Sequence, residues 1–545
     1  MVFKRIKSGL ITLAALAALL APGCSEKTNT EYIYPENTQQ IPTAALKAVS
    51  DDGEYAALSM KDKTDLEAML FSAGTGTTKN MSNSPLASDF ARTFAGHNLV
   101  TTTRDEKNNA QIKIYNTAGD TIFTSDKFNW VNDVISYPDN TKIIFNGTDY
   151  DHYSHVHSHT IGSQSAEKLF PDAKASYVEV KSQDDSVIFM YAFSPSNGDT
   201  LYMLKTADDT ITPIVNLPAN QVFEISKNNA TAILYDWNNQ RIKTVDTATA
   251  DVQAADIPAG KQFQNVDRLS ETGLGAMLQF GDTATGKTEF WHFNTQNRTL
   301  DFVTERATGT AHRYPMQISP DGKTTVFSKH DSSTGDGVLI HNADTSDLYN
   351  PIGTATTWAD CRGFSSDGKA IIQYDDSATG DNKAVLHDTE TKTNTALGDA
   401  ANYRLHWCND PTPARNHLPI NAADLSTGWN VVLLEDLANS GRKVISQAGI
   451  DLEYMGASPD SKYILLKGKN NSSQENPANL FVYNIEDEEL TQATHNTDPR
   501  LDWIYLSMHS KDGSNAYFEE KFDNGTSLVK ELDYETLEVK EVAYQ

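Results

Sequence analysis

Residues 150–160 read YDHYSHVHSHT. His152, His155, His157 and His159 crowd into this stretch, in a chain with only 14 histidines. Imidazole nitrogens are good ligands for Zn²⁺ or Cu²⁺, and residues two apart on a β-strand share a face. If 155–159 is a strand, His155, His157 and His159 project together, and His152 or Asp151 can reach in from the preceding loop. The competing reading is structural: a half-exposed edge strand that tolerates histidine. A complete ligand set from one pleated strand would need awkward ring tilts, so the structural reading is the expected one. Two cysteines, Cys361 and Cys408, raise a similar choice. In an oxidising compartment they could pair, or they could stay as free buried thiols.

These residues sit in a chain that repeats itself. ISPDGKTTVF (318–327), FSSDGKAIIQ (364–373) and ASPDSKYILL (457–466) are the clearest copies. Weaker copies begin near residues 49, 136, 181, 225, 269 and 509, and two further units are visible at 97–125 and 405–436. That makes eleven units. In each, an apolar stretch enters a Ser-x-Asp-Gly turn, whose glycine tolerates positive φ and whose aspartate can bond its own backbone. A strand, a polar loop, a third strand ending in Asn or Asp and a short fourth strand follow. Four strands per roughly 45 residues predict an all-β chain of β-propeller blades. In this register HVHSHT becomes the third strand of the third blade, aligned with IKIYNT (112–117) and LFVYNI (480–485). Eleven units exceed the roughly four to eight blades usual in one ring. The expected arrangement is therefore two rings, blades 1–5 over 42–258 and blades 6–11 over 259–545, broken near ADIPAGKQ (255–262), with one continuous ring as the alternative.

The N-terminus sets the compartment. Residues 1–23 have a basic start and an apolar run of about twelve residues, too short for the roughly twenty of a bilayer span, so they read as an export signal. The ending LAPGC resembles the lipobox of bacterial lipoproteins. That resemblance implies acylation of Cys24, and Ser25 after it implies sorting to the outer membrane. Residues 24–41 are polar and read as a flexible tether. The net charge of −28 argues against nucleic acid and against binding anionic headgroups, so the lipid would be the only membrane contact.

The S-P-D-G-K turn with its flanking strands resembles the repeat of TolB-type propellers, relatives of WD-repeat proteins. The resemblance covers nearly all of residues 42–545. It implies the fold and leaves function open among periplasmic protein-binding modules, peptidase N-terminal domains and sugar-acid lyases. In propellers the first strand lines a central channel. Trp130, Trp358, Trp407 and Trp503 fall at or just before first strands. They could stack sugars or grip a peptide at the channel mouth, although wedging between blades is the expected role. The loops YDDSATGDN (374–382) and KHDSSTGDG (329–337) could hold Ca²⁺ but lack strict spacing, so solvated turns are expected. There is no G-x-S-x-G, H-E-x-x-H or C-x-x-C. The expectation is a non-enzymatic binding or scaffold lipoprotein of the cell envelope, without a cofactor, for a protein or glycan partner. The alternatives are a metal-dependent propeller enzyme resembling the sugar-acid lyases, and a metal-binding envelope protein using His152–His159.

Overall fold

The computed structural model describes residues 43–542 apart from 63–64, 83–87, 106, 195–197, 217–219, 307–310, 332–336, 354–355, 377, 399–401, 440, 471–476, 499 and 524–526. The signal, Cys24 and the tether lie outside the described residues. Within them, 44 strands form eleven consecutive antiparallel groups of four. The groups span 43–80, 88–124, 130–168, 175–216, 220–256, 261–305, 311–349, 356–397, 403–445, 450–492 and 501–541. Eleven repeats are eleven blades.

Each blade starts from a local turn that its sequence dictates. The Ser50 hydroxyl donates to Asp52 Oδ1 (2.7 Å) and accepts the Tyr55 N–H (2.9 Å), while the same Asp52 oxygen accepts the Glu54 N–H (3.1 Å). The pattern recurs at Ser182, Ser226, Ser319 and Ser458. These serines are buried, so their hydroxyls must be satisfied internally. Blade 3 departs from the expected alignment. Ser136 is not its turn residue; Tyr137 takes that place, bonding backbone to Lys142 and its phenol to Asp209 (2.7 Å).

Apolar side chains on both faces of each sheet join it to its neighbours. Ile233, Tyr235 and Ile242 of blade 5 pack with Phe263, Phe280 and Phe293 of blade 6. Ala56, Leu58 and Phe71 of blade 1 pack with Tyr517 and Val529 of blade 11. Two rings would need blade 5 to close on blade 1 and blade 11 on blade 6. Instead the core runs unbroken through 255–262 and closes between first and last blades, so the two-ring expectation is corrected to a single ring. Each fully buried Leu or Phe contributes about 1.5–3 kcal/mol, and that driving force is the same at every seam.

The turns form a hydrogen-bonded crown on one face. Asn228 N–H donates to Glu271 O, Thr272 N–H to Pro320 O, Ser366 N–H to Arg415 O, and Asp512 N–H to Asp51 O. Among the described residues, Arg415 of blade 9 pairs across the ring with Glu271 of blade 6 at 2.5 Å. Three blades apart along the ring, these turns meet, so the crown face is drawn together across the channel.

Closure gives a direct test. Gly53 has φ +73°, and a Cβ there would lie 2.5 Å from Asn515 Nδ2 and 2.9 Å from Ser510 Cβ. Its carbonyl accepts the Tyr517 hydroxyl at 2.7 Å. Gly53→Ala should cost about 1–3 kcal/mol and lower the melting temperature by about 1–3 °C. Gly74→Ala, with nothing within 4 Å, should melt at the wild-type temperature.

Candidate functional site: the channel wall

First strands of neighbouring blades pack side by side at most seams of the ring. The fourth strands, mostly exposed, form the rim. The first strand is therefore the channel wall, and in all eleven blades its pairing with the second strand slips by a bulge. In the eight blades with the turn serine, the slip falls three residues before it: Lys47, Glu179, Phe223, Asp267, Met316, Arg362, Met455 and Ser507. A bulge leaves one residue unpaired and re-aims its side chain. At Lys47, Glu179, Asp267 and Arg362 the re-aimed residue is charged, whereas Phe223, Met316 and Met455 pack against the apolar core.

Cations and tryptophans meet on this wall. Arg362 lies 3.8 Å over the Trp407 ring and 5.6 Å from Trp358, and the two indoles stack at 5.7 Å. Gln373 holds that guanidinium through Nε (3.1 Å) and Asp360 contacts Nη1 (3.2 Å), while buried Nη2 has no hydrogen-bond acceptor. In blades 10 and 11, Lys467 sits 3.6 Å over Trp503, which stacks on Tyr505; Lys521 lies 5.0 Å over Tyr505. Arg104 sits 3.8 Å over Trp130. Trp130, Trp407 and Trp503 remain 45%, 46% and 42% exposed. Wedging between blades, the expected role, would bury them; they are exposed instead. Only Trp358 is half-buried.

Blades 4 to 6 carry the acidic part. Burial pushes the Glu224 carboxyl up to about 7, against the opposing effect of Arg268 nearby. Burial also raises Asp267 and Glu179. Asp267 Oδ2 and the Tyr191 hydroxyl are buried without hydrogen-bond partners. A carboxyl raised to about 7, as Glu224 is, is suited to exchanging protons. Sequence reading missed Glu224, Lys467 and the bulged residues. The signal for the latter was their constant distance from the turn serine.

The histidines do form the third strand of blade 3, Ser154–Thr160. Their environment is not a half-exposed edge: His155, His157 and His159 are 6%, 8% and 1% exposed. His157 stacks on Phe145 at 5.2 Å and meets Phe128 edge-on at 5.1 Å; His159 stacks on Phe123 at 3.6 Å. They serve as flat aromatic filler against blade 2. His155 and His157 stand perpendicular, 6.5 Å apart, and the three rings bring no donor set together. His152, exposed at positive φ, contacts Asn129. A metal does not fit this stretch.

Cys361 and Cys408 are free, buried thiols, so the disulfide is not formed; burial pushes both up to about 12. In the 374–382 loop, Asp376 accepts the Ala378 N–H and pairs with Lys383. That carboxylate is committed to its turn. Residues 332–336 of the other acidic loop lie outside the described residues.

The fold and its channel define a β-propeller. No protein-family profile matches the sequence, and no curated protein matches it. Solved structures do. Dipeptidyl peptidase 4 of Porphyromonas gingivalis aligns over 75% of this chain and 58% of its own, at 8% identity and TM-score 0.37. Oligogalacturonate lyase of Vibrio parahaemolyticus aligns over 73% and 96%, at 10% identity and TM-score 0.28. The propeller domain of the Trilobed protease of Pyrococcus furiosus aligns over 59% and 99%, at 12% identity and TM-score 0.27. The chain thus spans little more than half of the peptidase. These identities carry the fold and nothing of substrate. The expectation of a non-enzymatic scaffold finds no support among them: the solved propellers named here belong to enzymes, including prolyl endopeptidases and puromycin hydrolase.

The buried histidines predict acid sensitivity. Burial lowers His155 and His159, and lowers His157, His341 and His509 to about 4. Their folded pKa values lie below the unfolded value of about 6.5. Their stabilising contribution is therefore present above pH 6.5 and lost as pH falls toward 4. The melting temperature should drop steeply across that window. His155→Val combined with His157→Ile, the residue types of the repeat, should fold and show a shallower drop.

Proposed function

We propose that this chain is a propeller enzyme of the cell envelope whose channel wall takes an acidic sugar chain. The observation that carries this reading is the pairing of a cation with an open tryptophan at three places on the wall of a chain with net charge −28. A uronic acid presents both matching groups on one ring: an apolar C–H face for the indole and a carboxylate for the adjacent guanidinium or ammonium. Overall charge would repel such a ligand. The local clusters offset this where the ligand would lie, because screening confines each charge to about 8–10 Å at physiological salt.

Within this reading the roles divide by blade. Trp358, Arg362 and Trp407 stack and neutralise one sugar; Trp503 and Tyr505 stack another, whose carboxylate competes with Glu453 for Lys467, the two being paired at 2.7 Å. Pairing the carboxylate with a cation acidifies the carbon-bound proton beside it. Elimination there breaks the C5–H bond to a base and the C4–O bond to the leaving sugar, which takes up a proton, and leaves a C4–C5 double bond; Glu224, raised by burial to about 7, is the candidate for one of these two proton transfers. The TolB-type character of the repeat and acylation of Cys24, with attachment to the outer membrane, belong to the same proposal.

Indole fluorescence tests it. Uronic-acid oligomers should quench saturably, more tightly than neutral oligomers of equal length, and more weakly as salt rises. Trp407→Ala and Arg362→Gln should each weaken binding about tenfold, roughly 1.4 kcal/mol. Glu224→Gln should keep binding and lose the ultraviolet absorbance of unsaturated product. Equal affinity for neutral and acidic oligomers would overturn the reading. Separately, Cys24→Ser should move the protein from the membrane fraction to the soluble one; a variant that still sediments with membranes excludes the lipid anchor.

A further inference from the structure

We propose that Asp52, Glu54 and His97 form a divalent-cation site, suited to Zn²⁺, that ties blade 1 to blade 2 on the crown face. One donor atom from each residue lies within 4.8 Å of the other two. His97 Nε2 is 2.5 Å from Asp52 Oδ2 and 3.7 Å from Glu54 Oε2. Tetrahedral Zn²⁺ with bonds of about 2.0–2.1 Å separates its ligand atoms by roughly 3.3 Å. Shifts of under about 1 Å along these two distances would meet that spacing. One imidazole, two carboxylates and an open side match the three-ligand arrangement that leaves a position for water.

Two departures from the repeat build this cluster. The residue four places after the turn serine is Lys323, Lys369 or Lys462 in three blades, and Ser186, Ala230, Leu274 or Ser514 in others. Lys369 and Lys462 pair with their turn aspartates, Asp367 at 2.7 Å and Asp460 at 3.4 Å, while Lys323 reaches Asp344 at 2.9 Å. In blade 1 the position holds Glu54, which sets a second carboxylate beside Asp52 where a cation belongs. Blade 2 has lost the serine turn. Its first two strands, Ser88–Ala95 and Asn98–Arg104, are joined by Gly96 and His97 alone, which brings His97 to the aspartate of blade 1. The donors are also oriented. Asp52 Oδ1 is committed to Ser50 and the Glu54 N–H, so Oδ2 faces His97. The His97 ring rests 5.0 Å from Tyr55. The surrounding crown adds Lys511, which contacts the neighbouring Asp51 at 3.6 Å.

The experiment is independent of the sugar reading. Full-length protein is stripped with a chelator, dialysed against Zn²⁺, and its bound metal counted. One equivalent is expected, with a melting temperature raised by several degrees. Glu54→Lys, which installs the residue the repeat itself uses, should fold, hold no equivalent and show no rise. His97→Asn should do the same. A wild type that binds none, or variants that keep the equivalent, would overturn the site and leave His97 and Asp52 as a simple hydrogen-bonded pair.

Discussion

The hydroxyl of a buried turn serine organises each blade in which it occurs. It accepts an N–H at the start of the second strand and, in most of these blades, donates to an aspartate (Asn228 in blade 5), which in turn caps a neighbouring N–H. That closes the innermost hairpin with no polar group stranded, at the place where blades crowd closest. The bulge three residues upstream sits in the same hairpin. Local turn chemistry thus sets both the crown that links blades and the slip that aims charged residues inward.

Ring closure depends on a different force. The seams are apolar and much alike, so nothing local counts blades; the count is how many equivalent faces the chain supplies before the last meets the first. Tyr517 and Val529 against Phe71 and Leu58 make that last seam in the same chemistry as the others. A ring of eleven has a wide middle. The pair from Arg415 to Glu271 across it is the visible response on the crown face.

Charge shows why composition misleads about sites. A net −28 argues against an acidic ligand only if charge is spread evenly. Arg362 and Lys467 are instead seated over indoles on the wall, where each acts over a short range. Burial works in the opposite direction on the same wall, holding Glu224 near neutrality and so able to carry a proton.

The all-β class, the eleven blades and the third-strand place of HVHSH were legible because turn residues and strand alternation are local, and local signals survive in one dimension. Blade 3 slipped by one residue, Tyr137 for Ser136, since a buried tyrosine hydroxyl can replace serine only through a partner, Asp209, far along the chain. The histidine stacks, the open tryptophans, the single ring and the meeting of His97 with Asp52 were decided by tertiary structure. Each depends on which face of one blade meets which face of the next. Period-two patterning says that a side chain leaves the sheet, but not whether it finds phenylalanine, a guanidinium or water.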